Sequence, residues 1–157
     1  MINVALASPL VKSARRREEH VAHLPVMLEE VLEFWPGRLE GLLVDQSFGM
    51  GGHTFAALQR FPEARVLAFD ADPQAVAEGR IRQQAEGVGE DRLRIEQGWA
   101  GSLTSDLGRL GVAPGSVSGV LFDTGVRSEM FEDEERGLSF RNPDAPLNMK
   151  YEIGRAS

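Results

Sequence analysis

A glycine-rich turn between two apolar stretches, at residues 42–54, constrains the fold of this chain more than any other feature. An apolar run ends at Asp45, glycines follow at positions 49, 51 and 52, and Thr54 opens the next apolar stretch. This order predicts a strand, a tight turn and a helix start, where backbone N–H groups can meet a polar ligand. Glycine permits positive φ and lets a ligand approach closely because it has no Cβ. A turn that only connects two elements is the equally open alternative.

The acid before the turn indicates what such a ligand would carry. Asp45 can accept hydrogen bonds from an ammonium group or a ribose hydroxyl, whereas it would repel a pyrophosphate. A dinucleotide fingerprint starting at Gly49 would require glycine where Thr54 stands, which disfavours an NAD-binding oxidoreductase. A second apolar run ends at Asp70, about 20 residues after the loop, where nucleotide-binding α/β folds hold ribose hydroxyls.

Hydrophobic periodicity predicts strands and helices that alternate along the chain. The expected helices are 25–35, 54–60, 73–85 and 102–110, and the expected strands are 41–45, 65–70, 93–96 and 117–123. This alternation is typical of an α/β fold with a parallel sheet and helices on both faces. Three strands are expected to end in an acid, at Asp45, Asp70 and Asp123. Parallel strands end on one edge of a sheet, where ligands bind, so these acids predict a site.

Length and composition bound the remaining possibilities. The chain has 157 residues, 42% hydrophobic and 26% charged, which suits one soluble domain. No apolar run approaches the roughly 20 residues of a membrane span, so no membrane partner is expected. The absence of cysteine excludes disulfides and thiolate metal sites, and His20, His23 and His53 form no compact metal motif, so no metal is expected.

Charge is distributed unevenly along the chain. Residues 1–17 contain four basic residues and no acid, whereas the rest of the chain holds 13 basic and 24 acidic residues. A basic, acid-free start predicts a mitochondrial transit peptide, with a disordered basic arm on a cytoplasmic protein as the alternative. The expected organisation is an arm or transit peptide at 1–20, an α/β domain at 21–125 that binds a cofactor, and an irregular substrate-side segment and tail at 126–157. The acidic remainder argues against nucleic-acid binding driven by bulk charge.

Six segments, in this order and spacing, resemble the small-subunit ribosomal RNA cytosine-N4 methyltransferase family of bacteria and mitochondria. The segments are 23–31 (HLPVMLEEV), 45–54 (DQSFGMGGHT), 69–73 (FDADP), 122–126 (FDTGV), 135–140 (ERGLSF) and 146–149 (PLNM). Each segment alone is weak evidence, but the ordered set is specific. The resemblance implies a Rossmann-like S-adenosylmethionine-dependent methyltransferase fold whose carboxy-terminal half is missing.

The resemblance also implies a set of cofactor-binding residues: Gly51, Gly52, His53, Asp70, Trp99, Asp123 and Met130. The first three would contact the amino-acid part of S-adenosylmethionine, Asp70 would hold the ribose and Trp99 would pack on the adenine. A core-filling role is the alternative for Trp99. No catalytic residue is assigned, although Asp123 is the candidate to accept an N–H of the target amine.

The implied activity is methyl transfer to a cytidine N4 in small-subunit ribosomal RNA, with the RNA or the assembling small subunit as partner. The target base would have to leave its stack to reach the cofactor. This sequence departs from the family pattern at Arg127, Met130 and Asn148, where serine, glutamine and aspartate are usual. It also stops before the family's helical insertion, which would leave a sheet edge for a partner to cover. The alternative function is therefore a binding or ribosome-assembly factor that lacks turnover.

Overall fold

Strands and helices alternate through the part of the chain that the structure describes. The computed structural model describes residues 25–35 and 41–125, together with residues 131, 138 and 144. The elements in order are α1 (Leu28–Phe34), β1 (Gly41–Asp45), α2 (Gly52–Arg60), β2 (Ala64–Asp70), α3 (Pro73–Ala85), β3 (Leu93–Gln97), a 3-10 turn (Ala100–Ser102), α4 (Leu103–Arg109) and β4 (Val117–Leu121).

The four strands form one parallel sheet in the order β3-β2-β1-β4. The chain moves outward from β1 to β2 and β3, then crosses back to place β4 on the other side of β1. The change of direction therefore falls between β1 and β4, and in open α/β sheets such a switch point forms the ligand crevice. The predicted parallel sheet is confirmed.

Side chains alternate between the two faces of the sheet and build a separate core on each. Leu43 and Val66 pack with α1, α2 and α3 on one face, and Val44 and Phe69 pack with α4 on the other. Phe69 has no exposed surface, and burial of such a side chain contributes about 1.5–3 kcal/mol. The predicted placement of helices on both faces is confirmed.

Local chemistry explains where the helices begin. Pro73 occupies the first turn of α3, and the Asp72 carboxylate accepts from the Gln74 N–H at 2.9 Å. The predicted bounds of this helix, 73–85, are confirmed. Residues before α1 and α2 adopt positive φ, Met27 at 56° and Gly51 at 73°. Helical geometry consequently starts at residue 28 rather than 25, and at residue 52 rather than 54. The helix predicted over 102–110 corresponds to α4 at 103–109, and the 3-10 turn at 100–102 leads into it.

The expected extent of the last strand is wrong at its end. β4 finishes at Leu121, which pairs with Asp45, because β1 leaves the sheet there and offers no further backbone partner. Asp123 therefore lies two residues beyond the strand. Val120 and Phe122 are 45% and 51% exposed, so this edge of the sheet presents apolar surface. Within the described residues, no helix is long and apolar enough to cross a membrane.

Candidate functional site at the carboxyl ends of the strands

Backbone hydrogen bonds join the segments that follow the strands into one edge. The Gln46 N–H donates to the Leu121 carbonyl at 3.0 Å, and the Phe48 N–H donates to the Phe69 carbonyl at 2.9 Å. The Gly98 N–H donates to the Asp70 carbonyl at 3.0 Å. Because each bond links neighbouring strand ends, the predicted site residues of β1, β2, β3 and β4 are held along the same edge.

The glycine loop has a fixed shape. Gly49 and Gly51 have φ of 53° and 73°, a region that favours glycine. A Cβ on Gly51 would also lie 2.6 Å from the Phe48 ring, so that ring packs closely against the loop. Arg82 of α3 supports it from the side, since its Nη1 donates to the Met50 carbonyl at 2.9 Å. The same guanidinium lies 4.0 Å from the centroid of the Phe55 ring.

Asp45 is buried at the root of this loop, with 4% of its surface exposed. Its Oδ2 accepts from the Thr54 hydroxyl at 2.6 Å, and its Oδ1 accepts from the Ser47 N–H at 3.1 Å. Burial raises the pKa of the Asp45 carboxyl, against the lowering effect of these two bonds. The Asp45 carboxylate points at α2 and shapes the loop, and its contact with a ligand stays a prediction.

Asp70 holds the loop and still offers acceptor capacity. Its Oδ2 accepts from the Gly49 N–H at 2.7 Å and its Oδ1 accepts from the Asp72 N–H at 2.8 Å. Each carboxylate oxygen has two lone pairs, so one acceptor position remains on each. The side chain is half-buried at the end of β2, where a ribose hydroxyl could donate to it.

His53 and Asp123 face each other across the switch point. His53 Nδ1 lies 3.6 Å from Asp123 Oδ2, and His53 Nε2 lies 3.1 Å from the Val26 carbonyl oxygen. The His53 side chain is 8% exposed, whereas that of Asp123 is 51% exposed. The Asp123 N–H donates to the Ser47 hydroxyl oxygen. Sequence reasoning missed Ser47 and Val26, since a serine in a turn and a backbone carbonyl carry no distinctive pattern.

The remaining predicted residues have different positions. Gly52 begins α2 and lies under Pro25, whose Cγ would be 2.3 Å from a Cβ at that position. Trp99 follows β3 with 44% of its surface exposed, and its backbone N–H donates to Ser102 Oγ at 3.3 Å. This exposure contradicts the alternative that Trp99 fills the core. Met130 lies outside the described residues, as do Arg127 and Asn148.

The chemistry of the edge suits a ligand that carries a positive charge and hydroxyl groups. Half-buried Asp70 and half-exposed Asp123 are acceptors, and Trp99 adds an aromatic surface at the end of β3. In residues 25–35 and 41–125, no group of three His, Asp or Glu side chains is arranged to hold a metal ion. A groove of about 530 Å³ runs along α2 and the end of α3, lined by Phe55, Arg82 and other residues, and it reaches Gly52 at the start of α2.

These features define a Rossmann-like methyltransferase fold with its candidate site at the β1/β4 switch point. The carboxy-terminal domain of precorrin-6Y C5,15-methyltransferase from Rhodobacter capsulatus has a TM-score of 0.51 and 18% identity over 68% of this chain and 52% of that chain. A candidate rRNA methylase from Clostridium thermocellum has a TM-score of 0.50 and 19% identity over 65% and 55% of the two chains. At these identities the likeness shows the fold.

Residues 20–155 match the model of the MraW methylase family, and the chain belongs to that family. A curated relative, the ribosomal RNA small subunit methyltransferase H of Methylobacterium sp. (strain 4-46), is 44% identical over 131 residues. This match covers 83% of the present chain and 37% of the relative, so the chain spans little more than a third of that protein's length. The resemblance noted from the six sequence segments is confirmed at the level of the family.

Proposed function

We propose that this chain forms the S-adenosylmethionine-binding part of an enzyme that methylates a cytidine N4 in small-subunit ribosomal RNA. The observation that carries the proposal is the convergence of the glycine loop, Asp70 and Asp123 at the switch point of a sheet in an MraW-family chain. The relative that shares 44% of its aligned residues is a small-subunit ribosomal RNA methyltransferase by name, which supports the same substrate class.

The charge and hydrogen-bonding capacity of the described residues support this cofactor. The bound cofactor would supply an electrophilic sulfonium methyl group. Asp70 has free acceptor positions for the ribose hydroxyls, and the loop backbone at Gly51 and Gly52 is our candidate contact for the amino-acid part. Trp99, with 44% of its surface exposed, offers a ring face to the adenine. The acids of this edge favour a cationic ligand over a pyrophosphate.

Asp123 is the residue that we assign to the acceptor side. Its carboxylate is half exposed at the mouth of the crevice, where it can accept an N–H from the target amine and orient the nitrogen lone pair. The base would be turned out of its stack to reach this position, so single-stranded or distorted RNA is the expected substrate. The net charge of −7 indicates that a local patch, rather than the whole surface, would contact the RNA.

The apolar outer edge of the sheet is a second element of the proposal. Val120 and Phe122 on and after β4 are about half exposed, so another part of the enzyme or a partner would cover them. Replacing both residues by threonine should reduce any self-association that size-exclusion chromatography detects. Unchanged association would remove this edge as its cause.

Calorimetry tests the cofactor site directly. We expect S-adenosylmethionine to bind and NAD to bind far more weakly, and Asp70→Ala to cost about 1–3 kcal/mol of binding free energy through loss of charged hydrogen bonds. Asp91→Ala is the matched control, because Asp91 is an exposed acid just before β3, at the opposite edge of the sheet. Equal affinity for NAD and S-adenosylmethionine would contradict the proposal.

Transfer of a tritiated methyl group to small-subunit ribosomal RNA tests the reaction. The assay compares this chain with a fusion that adds the part of the methyltransferase H relative beyond the aligned region. We expect transfer by the fusion and slow or absent transfer by the 157-residue chain, because the acceptor must be held within near-attack distance. Inactivity of both proteins, with S-adenosylmethionine still bound, would favour the binding or ribosome-assembly role.

A further inference from the structure

Asp123 is held from two sides although half of its side chain is exposed. Its backbone N–H donates to the Ser47 hydroxyl, and the Ser47 N–H in turn donates to the buried Asp45 carboxylate. Its own carboxylate faces the buried His53 ring at 3.6 Å. An exposed aspartate can ordinarily sample several rotamers, and the contact with His53 favours the one that faces the ring.

His53 lies between two groups that can only accept hydrogen bonds. The Val26 carbonyl oxygen is 3.1 Å from Nε2, and the Asp123 carboxylate is on the Nδ1 side. A neutral imidazole carries one N–H and can serve one of these partners, whereas an imidazolium carries two and serves both. Among the described residues, the charged groups that face the ring are Asp123 from the segment after β4 and Asp45 from β1.

We infer that His53 is a positioning residue, which orients the Asp123 carboxylate toward the β1/β4 crevice and ties it to the chain that enters α1. This role deepens the proposed function and rests on it, since Asp123 is there the acceptor-side group. It also differs from direct contact with the cofactor, because the His53 side chain is buried and both of its nitrogens face protein atoms. Misplacement of a reacting group by about 1 Å can cost a factor of about 100 in rate, so fixing one rotamer matters.

Two variants of similar shape test the two contacts of the His53 ring separately. In His53→Asn the amide nitrogen lies near the former Nδ1 and keeps the contact with Asp123. In His53→Gln it lies near the former Nε2 and keeps the contact with Val26. Both variants place a neutral amide in the same buried position, so each is the stability control for the other. In the methyl-transfer assay with the fusion, we expect His53→Asn to keep the transfer rate within about 3-fold of the unaltered fusion and His53→Gln to lower it about 10-fold, because Asp123 is the acceptor-side group.

A second measurement uses no cofactor and no activity. The Nδ1 chemical shift of His53, followed by 15N NMR of the imidazole at one fixed pH in the 157-residue chain, should change in Asp123→Asn, because that variant removes the carboxylate 3.6 Å from this nitrogen. Ser47→Ala should change it less, since it removes only the backbone anchor of Asp123. Asp91→Asn should leave it unchanged.

The two measurements fail separately. Absence of S-adenosylmethionine binding by the unaltered chain would overturn the proposed function, while the NMR comparison would still decide whether His53 contacts Asp123. A His53 Nδ1 chemical shift that is identical in the unaltered chain and Asp123→Asn would overturn the positioning role. Equal loss of transfer rate in His53→Asn and His53→Gln would overturn it as well.

Discussion

Replacing Thr54 by valine should destabilise the chain through a single buried hydrogen bond. The Thr54 hydroxyl donates to Asp45 Oδ2 at 2.6 Å, and Thr54 is 2% exposed. Valine has the same shape and leaves that oxygen without its donor. Hydrogen bonds to charged groups contribute about 1.5–3 kcal/mol, and an unsatisfied buried carboxylate oxygen has no water to replace the bond. We therefore expect the free energy of unfolding at pH 7 to fall by about 2 kcal/mol.

Urea unfolding followed by circular dichroism measures this loss. With an m value of about 2 kcal/mol/M, a loss of about 2 kcal/mol lowers the midpoint by about 1 M. The matched control is Thr104→Val on α4, where the threonine is exposed and the change should stay within about 0.5 kcal/mol. The difference should shrink on acidification, because a protonated Asp45 carboxyl is neutral and needs the donor less. A Thr54→Val midpoint equal to that of Thr104→Val at pH 7 would refute the reasoning.

Further substitutions test the same edge and the amino-terminal arm. Since burial raises the pKa of Asp45 above its ordinary 3.8, its stabilising effect is complete below that pH and is lost as pH rises through the folded pKa. Asp45→Asn should remove this pH dependence from the urea unfolding curves. Gly51→Ala should lower the thermal midpoint more than Gly87→Ala, because both have positive φ but only Gly51 has ring atoms within 3 Å of a new Cβ. Residues 1–17 fused to a fluorescent reporter should direct it to mitochondria, and a cytosolic reporter would leave only the basic arm.

The secondary structure was predictable because short connections and residues that favour turns or helix caps separate the elements. Strand 41–45 and helix 73–85 have the predicted bounds, and the second of these begins at a proline that follows a capping aspartate. The errors lie where a tertiary partner decides the boundary. β4 stops at Leu121 because its partner Asp45 is the last residue of β1. A sequence window around 117–123 contains no information about where β1 ends.

The location of the candidate site was easier to predict from the sequence than the roles of its residues. Residue types at the strand ends identified Asp70 and Asp123, because parallel strands bring their carboxyl ends together. The burial of Asp45 and the inward orientation of His53 could not be predicted, since both depend on which way a side chain leaves the loop. The role of Asp70 as a direct contact of the cofactor remains a prediction, which the calorimetry above tests.

The position of β4 has a kinetic consequence. β1 and β2 are neighbours in sequence, and we expect them to pair early because only the glycine loop and α2 separate them. β4 must instead return to β1 across two further strands and their helices, so its pairing closes the longest loop in the described sheet. We therefore expect the β1–β4 contacts to form later in folding than the β1–β2 contacts. A ligand that bridges Asp70 and Asp123 would fasten that last strand to the early ones, and amide exchange in β4 should slow most when it binds.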